Sequence, residues 1–138
     1  MKTAVVDASF SASWFLKDEH SPHAEEILER FLKGSLVLWV PSLWFYEITN
    51  LLVTACNRFR IHPSAVEESF DLMDALPLKT DTPDIVAARR SLRLAQHSDL
   101  SAYDAAYLEL ANRLQIPLLT FDKKLVRACQ SHHLETKV

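Results

Sequence analysis

A chain of 138 residues fits one domain able to bury its own core, and 49% apolar with 24% charged residues is the mix of a globular protein. The formal net charge of −3 excludes a basic footprint over the whole surface, so any nucleic-acid contact has to come from local basic patches. A single glycine, Gly34, excludes Gly-rich phosphate loops, and two cysteines, Cys56 and Cys129, without CxxC or Cys/His spacing exclude a zinc site or a disulfide framework.

The first predicted element is a buried strand at 3–7, a β-branched run ending on Asp7. A short helix over 8–16 follows. Pro22 then opens a helix in which Ala24, Ile27, Leu28, Phe31 and Leu32 recur at helical spacing, with Gly34 as its C′ cap. Residues 36–40 read as a second strand, closed by Pro41. A helix N-capped by Ser42 runs to about Arg58, and Pro63 opens another to about Asp74. Leu76-Pro77-Leu78 is a candidate edge strand, because proline cannot donate to a ladder. Pro83 starts a helix with Ile85, Ala88 and Leu92 on one face. Ser101–Leu114 is a further helix, 116–120 a strand, Asp122–Cys129 a last helix, and 134–138 a candidate terminal strand.

Strands separated by helices pair in parallel through right-handed crossovers. The expected fold is therefore a three-layer α/β/α sandwich with a parallel central sheet, one domain over residues 1–138. In such sheets ligands bind beyond the carboxyl ends of the strands. Asp7 and Asp122 stand at such ends. Asp104 lies in the first turn of a helix leading into the last main strand, and Glu47 within the helix after the second. Each of the three aspartates also has a structural explanation as a helix cap. Glu47, among Trp44, Phe45, Tyr46 and Ile48, has to be paired, metal-bound or turned to a cleft.

Carboxylates converging on one pocket repel one another, and a hard divalent cation relieves that repulsion. All-oxygen ligation favours Mg²⁺ or Mn²⁺ over zinc. Such an ion activates water and stabilises a phosphodiester under attack. No Ser/His/Asp or Cys/His nucleophilic arrangement competes.

The segments Val5-Val6-Asp7-Ala8-Ser9, Glu47-x-x-Asn50, Ala102-Tyr103-Asp104-Ala105-Ala106-Tyr107-Leu108 and Leu118-Leu119-Thr120-Phe121-Asp122-Lys123-Lys124-Leu125 resemble the PIN-domain family and, within it, VapC toxins. The resemblance covers almost the whole chain in the right order. The Tyr-Asp-Ala-Ala-Tyr and Leu-Thr-x-Asp-x-x-Leu pair is its most specific part. It implies a PIN-like fold and a four-acid metal site at Asp7, Glu47, Asp104 and Asp122. It implies Mg²⁺- or Mn²⁺-dependent cleavage of single-stranded or structured RNA. It also implies a homodimer and a VapB-like antitoxin partner covering the active site. Ser9, Asn50, Thr120 and Lys123 are assigned as supporting or substrate contacts beside the acids.

Other residues are set aside on the sequence alone. Asp99 reads as a cap for the Asp104 helix before it reads as an auxiliary ligand. Asp18 and Glu19 read as solvated loop acids, and Glu109 as a surface residue. His132 and His133 are adjacent, which is poor chelating geometry. The Arg58/Arg60 and Arg89/Arg90/Arg93 clusters read as solvated faces, whereas Lys123, Lys124 and Arg127 flank Asp122 and are better placed to meet phosphate. Trp14, Trp39 and Trp44 read as core. Without a leader or an apolar run near ~18 residues, a cytoplasmic protein with no membrane partner is expected.

Two competing functions make different demands. A haloacid-dehalogenase-like phosphatase needs Asp-x-Asp after its first strand, where this chain has Asp7-Ala8-Ser9, and a receiver domain needs paired acids that are absent. A non-catalytic binding domain would use the acids only as helix caps.

Overall fold

The computed structural model describes all residues, Met1–Val138. Four parallel strands, β1 (Lys2–Val6), β2 (Leu36–Pro41), β3 (Lys79–Asp81) and β4 (Leu118–Leu119), lie in the order β3-β2-β1-β4. Seven helices flank them: α1 (Ala8–Ser11), α2 (Pro22–Leu32), α3 (Leu43–Asn57), α4 (Pro63–Ala75), α5 (Ile85–Ser98), α6 (Ala102–Leu114) and α7 (Lys123–Ser131). The expected parallel α/β sandwich is the fold observed.

Ala4, Val5 and Val6 of β1 are fully buried, as a central strand covered on both faces requires. The core continues through Leu36, Leu38 and Val40 of β2, Trp44, Ile48 and Leu52 of α3, and Tyr107, Leu108 and Ala111 of α6. The helix α6 packs on β1, β2 and β4, and α5 lies on α6. Gly34 caps α2 with φ of 76°, the left-handed conformation expected of a C′ glycine.

The chain runs from β1 outward to β2 and β3, then returns to place β4 on the other side of β1. The strand order thus reverses beside β1, and a crevice opens there at the strands' carboxyl ends. That crevice is where Asp7 and Asp122 emerge.

Three local expectations are corrected. The third strand is not Leu76–Leu78 but Lys79–Asp81, registered on Trp39–Pro41. Pro77 has no N–H, and Leu78 N–H turns back onto the Leu76 carbonyl (2.8 Å), so pairing starts only past them. Residues 134–138 form no strand, although the Glu135 carbonyl accepts one bond from Leu118 N–H (2.9 Å). The helix over 8–16 is two pieces, α1 and a 3₁₀ turn at Ala12–Trp14.

Candidate active site

The carboxyl end of β1 delivers Asp7, which is 3% exposed. It caps α1 by accepting from Phe10 N–H at Oδ1 (2.9 Å). Ser9 Oγ lies 2.8 and 3.0 Å from its two carboxyl oxygens, and Thr120 Oγ1 donates to Oδ2 (2.5 Å). Thr120 Oγ1 in turn accepts from Asp122 N–H (3.0 Å), so one hydroxyl fixes the end of β4 against the end of β1. Phe121 closes this strap, donating its N–H to Ser9 Oγ (3.1 Å) and stacking on Phe10 at 4.6 Å between ring centroids.

Helix α3 is held by a second chain of bonds. The buried Trp44 indole donates to Ser11 Oγ (2.8 Å), and Ser11 donates to the Asp7 carbonyl (2.7 Å). One helical turn further, Glu47 is half-buried and accepts at Oε1 from the Tyr107 hydroxyl of α6 (2.6 Å). Helix α6 begins at Ser101, which accepts from Asp104 N–H (3.1 Å) and sets the half-buried Asp104 in the first turn. Asp122 caps α7, its Oδ1 accepting from Lys124 and Leu125 N–H (2.8 and 3.3 Å). The capping and functional readings of the aspartates therefore do not compete. Asp7 and Asp122 cap their helices and face one cleft.

That cleft has a volume of about 620 Å³. Asp7, Glu47, Asp104 and Asp122 all line it, with Ser9 and Asn50. Thr120 is buried beneath, on Asp7. Lys123 is exposed and does not line the cleft, while Lys124 reaches Asp99 at 3.8 Å. Glu19 also lines it, at the end of a 3₁₀ turn (Lys17–Glu19) pinned by Arg60 Nη2 (3.2 Å), and so is not an unpaired loop acid. The cleft thus carries five carboxylates and no Lys or Arg.

The electrostatics follow from burial and crowding. Burial pushes the Asp7 carboxyl up from 3.8 to about 6, against the bonds from Thr120, Phe10 and Ser9 that favour its charge. Glu47 is raised by burial and by the charge of Asp104, partly offset by the Tyr107 bond. Asp104 is raised by burial and then by Asp122. Burial, and then the neighbouring Glu47, keep the Tyr107 phenol protonated, so it remains a donor. No three His, Cys, Asp or Glu side chains are gathered into a finished metal cage. The acids instead surround a shared space. Their oxygens are a hard donor set, and a cation between them would offset both desolvation and mutual repulsion.

Several residues fall elsewhere than expected. Asp99 does not cap the Asp104 helix. It ends α5 in the left-handed conformation (φ 52°) with its side chain fully exposed, and Ser101 takes the capping role. Glu109 is not on the surface but 4% exposed, because α5 and the β3 edge cover it. Arg113 bonds Glu109 at 2.9 Å and Asp81 at 2.8 Å. Arg58 and Arg60 lie on an exposed face as expected, and the Arg60 guanidinium also pairs with Asp18 (2.8 Å). Cys56 and Cys129 are free thiols, and burial pushes Cys129 up to about 11. Tyr107 is not among the site residues expected from the sequence, and its spacing of three residues from Asp104, one turn of one helix, is the signal by which its polar end could have been expected near the acids.

A family model described as the PIN domain matches residues 4–130. Ribonuclease VapC3 of Pyrobaculum aerophilum is 29% identical over 125 residues, which cover 88% of this chain and 90% of that protein. The crystal structure of PAE2754 from Pyrobaculum aerophilum is similar with a TM-score of 0.71 at 22% identity, covering 99% of this chain and 90% of that one. A toxin–antitoxin complex from Klebsiella pneumoniae contains a chain similar at TM-score 0.57 and 17% identity, with 88% of each chain covered.

Proposed function

The chain belongs to the PIN domain family, and on that footing we propose that it is a metal-dependent endoribonuclease, the toxin half of a VapBC-type pair. The observation that carries this reading is the cleft at the sheet's switch point, lined by five carboxylates and no cationic side chain. A phosphodiester is repelled by such a site until a divalent cation neutralises it. The relative named as a ribonuclease, aligned over nine-tenths of its length, supports the same chemistry.

Asp7, Glu47, Asp104 and Asp122 would hold Mg²⁺ or Mn²⁺. When bound, the ion supplies an activated water and neutralises charge on the phosphate. The chain's own residues do the positioning. Tyr107 holds Glu47 Oε1 and leaves Oε2 without a hydrogen bond, on a residue that lines the cleft. Thr120 and Ser9 fix the Asp7 carboxylate, and Asp122 keeps one oxygen on the α7 cap while its other oxygen remains for a ligand. Asn50, exposed on the wall that carries Glu47, is placed to bond an RNA phosphate or sugar.

The neighbouring fold found in a toxin–antitoxin complex supports a VapB-like antitoxin as protein partner. Ile85 and Leu92, 76% and 54% exposed and two turns apart on α5, support the homodimer that the proposal includes, as an apolar surface on which a second copy would pack. No helix is long and apolar enough to cross a membrane, and a cytoplasmic site of action is part of the proposal.

The test is cleavage of labelled RNA by wild type, Asp7→Asn and Asp104→Asn with Mn²⁺, Mg²⁺ or EDTA. Metal-dependent cleavage lost in both variants is expected. Undiminished cleavage in excess chelator would refute the mechanism. Cleavage unchanged in both variants would move the site elsewhere.

A further inference from the structure

The chain has three tyrosines, and all three line the acidic cleft. Tyr107 is 1% exposed and spends its hydroxyl on Glu47. Tyr46 and Tyr103 are 81% and 68% exposed. Each directly precedes an acid of the site, Tyr46 before Glu47 on α3 and Tyr103 before Asp104 on α6. Successive residues of a helix point roughly 100° apart, so an acid turned into the cleft puts the tyrosine before it on the rim. Two different helices thus bring an aromatic face to one opening.

The absence of Lys and Arg from the lining decides what those faces are for. Proteins that hold single strands combine a cationic track for phosphates with aromatic platforms for bases. Here the track is missing inside the cleft, and affinity has to come from the bases flanking the phosphate. An aromatic ring suits any base, because every base offers a π face. Ser9 and Asn50 on the lining offer hydrogen bonds to a hydrated sugar–phosphate that an apolar peptide would leave unused, once a divalent cation has neutralised the carboxylates.

We infer that Tyr46 and Tyr103 stack on unpaired nucleobases of a single-stranded RNA, one beside each helix wall of the cleft, and so set the register of the bond to be cut. The inference rests on the nuclease reading above and names the substrate form that reading leaves open.

Binding measurements separate the two. Fluorescence anisotropy, with Ca²⁺ in place of Mn²⁺, would compare labelled oligomers of about 12 nucleotides, oligo(U) and oligo(A), with an abasic ribose-phosphate oligomer of equal length. Wild type should bind the base-bearing strands about 10- to 100-fold more tightly than the abasic one. Tyr46→Ala and Tyr103→Ala should each lose about 10-fold, while Tyr46→Phe and Tyr103→Phe keep wild-type affinity, because the ring stacks and the hydroxyl does not. In cleavage with Mn²⁺ the alanine variants should raise KM more than they lower kcat. Both rings are exposed, so melting temperatures should be unchanged.

Equal binding of base-bearing and abasic strands by wild type would overturn the inference, as would alanine variants that bind like wild type. Phenylalanine variants as weak as alanine would also overturn it. Base-dependent binding without any Mn²⁺-dependent cleavage would leave the base stacking standing and refute the nuclease reading, and with it the role in setting the register of a cut.

Discussion

Replacing Asp7 by Asn removes the charge from the most buried carboxylate of the cleft while keeping its shape. The amide can still accept from Phe10 N–H, and its NH₂ would face the Thr120 or Ser9 hydroxyl, either of which can accept. Asp7 is raised from 3.8 to about 6. A carboxyl raised on folding adds stability that is complete below pH 3.8 and lost as pH climbs through about 6. Above that range the metal-free wild type carries a penalty of about 3 kcal/mol, from about two pKa units at 1.36 kcal/mol each. The neutral asparagine avoids it. Asp7→Asn should therefore melt about 6–10 °C higher than wild type in EDTA at about pH 8, and the advantage should shrink to under about 1 kcal/mol near pH 4. Mn²⁺ should raise the wild-type melting temperature and leave the variant almost unmoved. Melting curves across this pH range, with EDTA or Mn²⁺, measure both effects. A variant less stable than wild type in EDTA at about pH 8, or an advantage that does not change with pH, would refute the claim that the site is an electrostatically strained cation receptor.

Tyr107→Phe removes the hydroxyl that holds Glu47 (2.6 Å). It should cost about 1.5–3 kcal/mol by urea unfolding and lower kcat about 10-fold while Mn²⁺ still binds more weakly than to wild type. Thr120→Val keeps the shape but severs Asp122 N–H from Asp7 Oδ2, leaving two groups short of a partner. An unfolding loss of about 1–3 kcal/mol is expected, with Mn²⁺-induced stabilisation reduced. Arg113→Ala strands the buried Glu109 with only Arg90 at 4.0 Å. It should destabilise by about 2–4 kcal/mol, discounted from a fully buried pair because Arg113 is 31% exposed, with the cleavage rate of the folded fraction unchanged.

Strands β1, β2 and β4, most helices and the parallel fold were legible because their signals are local. The run Val5-Val6-Asp7 announces a buried strand with an acid at its end. Pro22, Pro63 and Ser101 mark helix starts, and Gly34 marks a stop. Where local signals were weak, the sequence misled. Pro77 drew attention to a segment that only precedes β3. Glu109 reads as a surface residue although Arg113, one helical turn on, is a local signal of a partner; what no local pattern shows is that Asp81, from 32 residues away, joins the same guanidinium and that the pair is buried.

The sequence by itself determined that Asp7 and Asp122 stand at strand ends and Asp104 in a first helical turn, since these positions are fixed by short-range periodicity and capping, whereas bringing Glu47 of α3 and Asp104 of α6 to the same cleft took the fold. The tertiary structure alone decided that Thr120 joins Asp7 to the β4 end across 113 residues of chain and that Tyr107 reaches Glu47 across 60. It alone decided that Glu19, Tyr46 and Tyr103 share the cleft. Those placements depend on strand order and helix packing, contacts between residues far apart in the chain, and no local pattern encodes them.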